Sequence, residues 1–271
     1  INSSDAKLFI DNIRLSVTAS GNCGKTNQTD AGWMLDGNTL YISGKGDIAD
    51  YDVEPNNIPW NANKDDISKI IIGEGITAIG TNNFFDHNGL ESVVLPSTLE
   101  KIGDQGLYVN NGNNETKPTF TFHSNPTMAA YALNENSNYT ATLVLDDALS
   151  PFFAAKSDNT FNGGIQYKRK VSAEKSTITL PFTPTSGLEN CTFYKLSSGS
   201  ENILTFEKVT KLEPNNPYIM VKTEGPNEID FSTDKSTTIL AKDSVASKTT
   251  SSPWTMHGTY STLVINSESC K

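Results

Sequence analysis

Residues 67–89 read ISKIIIGEGITAIGTNNFFDHNG, and residues 90–112 read LESVVLPSTLEKIGDQGLYVNNG. Laid over each other without a gap, the two stretches match position for position at a period of 23 residues. Ile70, Ile71 and Ile72 fall on Val93, Val94 and Leu95. Ile79-Gly80 falls on Ile102-Gly103, Phe84-Phe85 on Leu107-Tyr108, and Asn88-Gly89 on Asn111-Gly112. Self-similarity at such a period is the mark of a solenoid. Each unit predicts a short strand with Ile70 and Ile72 inward, then a turn at Gly73-Glu74-Gly75 or Pro96-Ser97-Thr98. A second apolar pair, Ile76 and Ile79, closes the layer from the other side. The following glycine fits a tight corner where neighbouring backbone excludes a side chain. No unit buries its face alone, so stacking supplies the core.

Working outward, residues 119–122 predict the next strand, four residues late, with residues 110–117 as the insertion. Residues 143–145 follow Phe120 by 23 and predict a fourth rung, and residues 127–133 predict a short helix or helical turn between the two. Upstream, Trp33-Met34-Leu35, Asp36-Gly37-Asn38 and residues 39–43 predict a hairpin. Pro59-Trp60 predicts an aromatic lid over one end of the core, and residues 8–15 predict a strand that either stands alone as an edge or closes a domain lying upstream. Downstream, residues 165–170, 177–182, 192–196, 203–209, 218–222, 228–231, 238–241, 254–259 and 263–265 predict short strands at roughly ten-residue spacing. That pattern points to an all-β sandwich or compact barrel. The expected organisation is an N-terminal strand segment (1–22), a cap (23–66), repeats (67–160) and an all-β domain (161–271), mainly β throughout.

The composition agrees. The 271 residues are 36% hydrophobic, include 28 asparagines, and carry a formal charge of −10, so the chain has a polar, turn-rich skin. An acidic chain lacks the basic footprint that nucleic acid and anionic membranes need. No run of eighteen apolar residues is present, so membrane insertion is not expected. The chain opens at Ile1 and reads as a mature or trimmed product. Cys191 and Cys270 either form a disulfide, worth on the order of 4 kcal/mol by loop entropy, or stay as thiols.

No catalytic pattern emerges. Asp65-Asp66 and Asp146-Asp147 are adjacent carboxylates, which point to opposite faces of an extended chain and read as solvated turn acids. His87, His123 and His257 lack zinc-ligand spacing, and no cofactor motif is present. The expectation is a non-enzymatic protein without cofactors. Its best candidate surface is the outward column Ile71, Val94, Thr121 and Val144, flanked by Lys69, Ser92 and Thr119. Exposed β-branched residues in a row either form a protein-recognition strip or pack against another part of the chain. For a glycan partner the aromatics to watch are Trp33, Trp60, Trp254 and Tyr260.

Two resemblances add to this reading. Cys23-Gly24, Asp30-Ala31-Gly32-Trp33, Leu40-Tyr41-Ile42-Ser43-Gly44 and Pro59-Trp60, followed by Ile76 to Phe84 and Leu90 to Pro96, resemble the cap and repeats of BspA-type leucine-rich repeat proteins. Gly73 where a proline often stands, Leu107 in place of Phe, and the stretched third unit depart from that pattern. Gln166 to Arg169, Thr179 to Phe182, Lys211 to Ile219 and His257 to Tyr260 resemble a β domain that follows such repeats in surface and secreted proteins of host-associated anaerobic bacteria. The resemblances imply an extracytoplasmic location and adhesion to a host or surface protein.

Overall fold

The structure is a computed structural model that describes residues 17–54, 57–108, 117–135, 139–147, 158–171, 174–200, 203–223, 225, 227–233, 236–239, 248–251 and 254–257. The strand read at residues 8–15, the one at 263–265, Tyr260 and Cys270 lie outside these residues, as does the side chain of Trp254.

In chain order the first strands are β1 (Val17–Asn22), β2 (Ala31–Asp36), β3 (Thr39–Gly44) and β4 (Gly46–Asp47). The repeats supply β5 (Lys69–Ile72), β6 (Ile76–Ile79), β7 (Ser92–Leu95), β8 (Lys101–Ile102) and β9 (Thr119–His123). Helix α1 (Pro126–Glu135) and β10 (Thr140–Asp146) follow, then β11 (Asn159–Phe161) and β12 (Ile165–Lys170). The remainder comprises β13 (Lys175–Thr179), β14 (Cys191–Gly199), β15 (Leu204–Val209), β16 (Pro217–Lys222) and β17 (Glu228–Ser232). Three short strands close the series: β18 (Thr237–Ile239), β19 (Lys248–Ser251) and β20 (Trp254–His257).

The fold is mainly β, with a solenoid of about three turns. One wall is a nine-stranded sheet, ordered β1-β2-β3-β5-β7-β9-β10-β12-β17; the other is the small sheet β4-β6-β8. From β3 to β12 every pairing in the large sheet is parallel. Leu40, Ile70, Val93, Phe120 and Ala141 are paired rung to rung and all are buried, because side chains on a strand alternate and the inward set must meet the inward set. The hairpin β2–β3 turns through Gly37-Asn38, with Gly37 at φ +58°, where a tight hairpin favours glycine. At the solenoid's start Trp60 is fully buried, meets Trp33 and Tyr51 edge-on at 6.1 and 5.8 Å, and donates its indole N–H to the Asn83 carbonyl at 3.3 Å. Helix α1 starts on Asn125, whose Oδ1 accepts the Met128 N–H at 3.1 Å, with Pro126 in the first turn.

Two readings need correction. Residues 143–145 were expected to follow Phe120 at 23, but Phe120 pairs with Ala141 and Phe122 with Leu143, so the fourth rung sits two residues out of that register. A shift of two keeps the inward face inward, and the shorter path through α1 sets it. Nor does the repeat sheet stop at residue 160. Ile165 pairs in parallel with Leu143, and β17 then pairs antiparallel with β12. The solenoid's last strand would otherwise present an open edge of unpaired backbone groups. The strands β13-β16-β14-β15 form a four-stranded antiparallel sheet. It meets the inner face of this extension, where Phe193 lies edge-on to Phe231 at 5.9 Å. A single cluster of buried side chains runs from Cys23 to Ile239.

The corner glycines are set by space. A Cβ on Gly80 would lie 2.0 Å from the Ala49 carbonyl oxygen and 2.5 Å from its carbon, both backbone. A Cβ on Gly37 meets nothing within 4 Å. In urea unfolding, Gly80→Ala is therefore expected to cost ~3 kcal/mol by overpacking, and Gly37→Ala only ~1 kcal/mol for its left-handed backbone. Equal losses at the two sites would show that close packing does not set the corner.

Candidate functional site

The outward face of the large sheet is built from the residues between the buried ones. Thr39, Lys69, Ser92, Thr119 and Thr140 pair in succession, and so do Tyr41, Ile71, Val94, Thr121 and Thr142. Successive rungs lie about 4.8 Å apart, so each column is a straight ladder of side chains. Lys69 is exposed, while Ile71, Ser92, Val94, Thr119 and Thr121 are half-buried. The residues read as a strip are thus brought together, with one exception. Val144 pairs with His123 and Gln166 and not with Thr121; it is 6% exposed and belongs to a neighbouring column. The residue beside Thr121 is Thr142.

Thr39, Tyr41, Thr140 and Thr142 were missed by the sequence reading. Tyr41 lies 30 residues before Ile71, so an overlay at 23 passes it by. Its signal was the alternation of Leu40-Tyr41-Ile42, which is that of Ile70-Ile71-Ile72. The completed face is chemically mixed: threonines dominate one half, and Tyr41, Ile71 and Val94 form an apolar seam through the other.

The face turns polar toward β12 and β17. Gln166 donates its amide to both Asp230 carboxylate oxygens at 2.8 and 2.7 Å. His123 is half-buried on β9, with Val144 between it and Gln166, and burial lowers its pKa despite the nearby carboxylates of Glu74 and Asp146. Asp147, read as a solvated turn acid, is instead engaged. The Tyr167 hydroxyl donates to it at 3.0 Å and the Arg169 Nε lies 3.6 Å away, while burial raises its pKa. That arrangement ties β10 to β12, whereas Asp65 and Asp66 stay exposed.

The aromatics named for a glycan separate clearly. Trp33 is 8% exposed and Trp60 fully buried, so neither offers a ring to a ligand. Their flat surfaces are consumed by the cap core. No group of three or more metal-ligating side chains is gathered among the described residues. Cys23 is buried and its thiol is pushed up to about 11 by desolvation, which leaves it protonated and unreactive at neutral pH.

His87 supplies a measurable electrostatic signature. It is fully buried, its Nδ1 lies 3.0 Å from the Phe85 carbonyl, and Lys64 and Asp86 form an ion pair beside it. Desolvation and the Lys64 charge hold its pKa below the ordinary value, against the backbone carbonyls and Asp86, which favour the cation. The unfolded chain therefore takes up a proton that the folded chain refuses once the pH falls below about 6.5. Stability is expected to decline from that point down to the folded pKa. Urea midpoints from pH 7.5 to 5 check this: His87→Gln should flatten the slope, leaving the part due to His123. An unchanged slope would show that His87 is protonated in place.

No family model matches the chain, and no curated protein sequence matches it. Among solved structures it is similar to a leucine-rich repeat protein from Eubacterium ventriosum, at 22% identity and a TM-score of 0.32. The likeness covers 51% of this chain and 41% of that one, so this chain spans less than half the length of the structure it matches.

Proposed function

We propose that this chain is a non-enzymatic binding module of the BspA-type leucine-rich repeat kind, acting outside the cytoplasm and recognising a host or surface protein. In this reading β13 to β16 belong to the sandwich-like β unit that follows such repeats. The observation that carries the proposal is the outward ladder Tyr41–Ile71–Val94–Thr121–Thr142, continuous over five parallel strands. A rigid surface with an apolar seam and a polar margin has the make-up of a protein interface: a core that sheds water, and a rim that stays wet.

Phe193 of the four-stranded sheet meets Phe231 of β17, at the far end of the large sheet from Tyr41, Ile71 and Val94. Lys69, Ser92 and Thr119 place polar side chains beside Ile71, Val94 and Thr121, the arrangement in which a few central residues carry most of the affinity.

The test uses the full chain against an array of extracellular-matrix proteins, mucins and host cell-surface proteins. Retention of one protein ligand is expected, with Val94→Asp and Ile71→Asp each lowering affinity at least tenfold while circular dichroism and the urea midpoint show a folded protein. Binding unaffected by both variants would move the site off the sheet. Silence across the array would favour a structural spacer.

A further inference from the structure

A second surface lies where the corner after β8 meets helix α1. Phe85 and Tyr108 occupy matching places in two repeats, each 15 residues after the buried Ile70 or Val93, whereas Tyr131 stands 11 after Phe120 and is brought alongside by α1. The Phe85 and Tyr108 rings are nearly parallel, inclined by 22° with centroids 6.1 Å apart, so they lie offset as one platform. Tyr131 comes from α1 and is 45% exposed. The helix packs through Met128, Ala129 and Ala132, so the core does not require the tyrosine ring.

Between Tyr108 and Tyr131 is an open cleft of about 230 Å³, walled by Asp104, Gln105 and the backbone of Gly103 and Gly106. A second cleft of about 240 Å³ lies along the small sheet and shares the lining residues Ile102, Gly103 and Asp104 with the first. The charged residues of the second cleft are Lys25, Lys101, Asp47, Asp50 and Asp104. Lys25 is engaged by Asp50 at 2.6 Å.

We propose that this groove binds a neutral glycan, with one pyranose ring seated against Tyr131 and Tyr108. The chemistry is specific. A pyranose has an apolar C–H face that lies against an aromatic ring, and hydroxyls around its rim that need both donors and acceptors. Gln105 supplies both and Asp104 accepts. A cleft below the roughly 300 Å³ at which enclosed drug-sized pockets begin suits one sugar ring per subsite, and the continuation past Asp104 gives a chain a direction in which to extend. Three carboxylates against two lysines disfavour an anionic sugar or a phosphate. The inference is independent of the sheet-face proposal, and the four aromatics first considered for a glycan play no part in it.

The experiment is native affinity electrophoresis of the full chain in gels containing soluble xylan, mixed-linkage β-glucan, galactomannan or pullulan. Titration calorimetry with the tetrasaccharide of any polymer that slows migration then follows. At least one polymer is expected to retard the protein. Tyr131→Ala should lower the affinity on the order of tenfold, Gln105→Ala should weaken it, and Tyr131→Trp should preserve it. Because Tyr131 is largely outside the core, an unchanged urea midpoint is expected for these variants. Ile71→Asp, on the other face, should leave sugar binding intact, which keeps the two proposals separable. No retardation in any gel, or full affinity in Tyr131→Ala, would overturn the assignment.

Discussion

The structure depends on one constraint: in a stack of parallel strands, every inward side chain must land beside an inward side chain of the next rung. The backbone ladder alone does not require this, since its hydrogen bonds form equally well after a slip of one residue. The slip would carry a whole apolar set into water. The paths between paired residues vary from 30 (Thr39 to Lys69) through 23 and 27 to 21 (Thr119 to Thr140), yet the buried column never breaks. Loops absorb the differences, as at α1. Each rung is therefore free to change length while its strand is not free to change phase.

That constraint explains what could be read from the residues. Two units with identical spacing made β5 and β7 plain, and the even offset before Thr119 kept its alternation visible. The cap strand β3 was recognisable as a strand but not as a rung, because the loop between Gly44 and Lys69 has its own length. The strand at Ile165 was found and placed in the following domain, since Ile-Gln-Tyr-Lys alternates in the same way whether its neighbour is parallel or antiparallel. Which edge it joins is decided by packing over long sequence distance. Thr233 shows this, its hydroxyl accepting the Ile165 N–H at 2.9 Å from 68 residues away.

The candidate surfaces follow the same division. Ile71, Val94 and Thr121 were legible as a column because they sit between buried neighbours at the repeat period. Val144 failed because its position rested on extrapolating that period through a helix. Phe85 and Tyr108 were legible as a pair at the repeat period, but Tyr131 was not, because the insertion before Thr119 puts it out of phase and helix α1 alone carries it to their side. An aromatic residue at a corner fills a rung as readily as it faces solvent, and the exposure of Tyr131 separates the two.

The strand β12 is parallel to one neighbour and antiparallel to the other, and the far edge of β17 is already bonded, with Ser232 exchanging backbone hydrogen bonds with Ser186. This reversal acts as a terminator. A further repeat cannot be appended behind it, because no strand of matching direction is left to template one. An ancestor that gained or lost recognition surface would have done so by duplication or deletion within the array, between β5 and β9, where both flanks are parallel. The two ends would then be inherited as fixed caps, while the reach of the face between them changed in steps of one strand spacing.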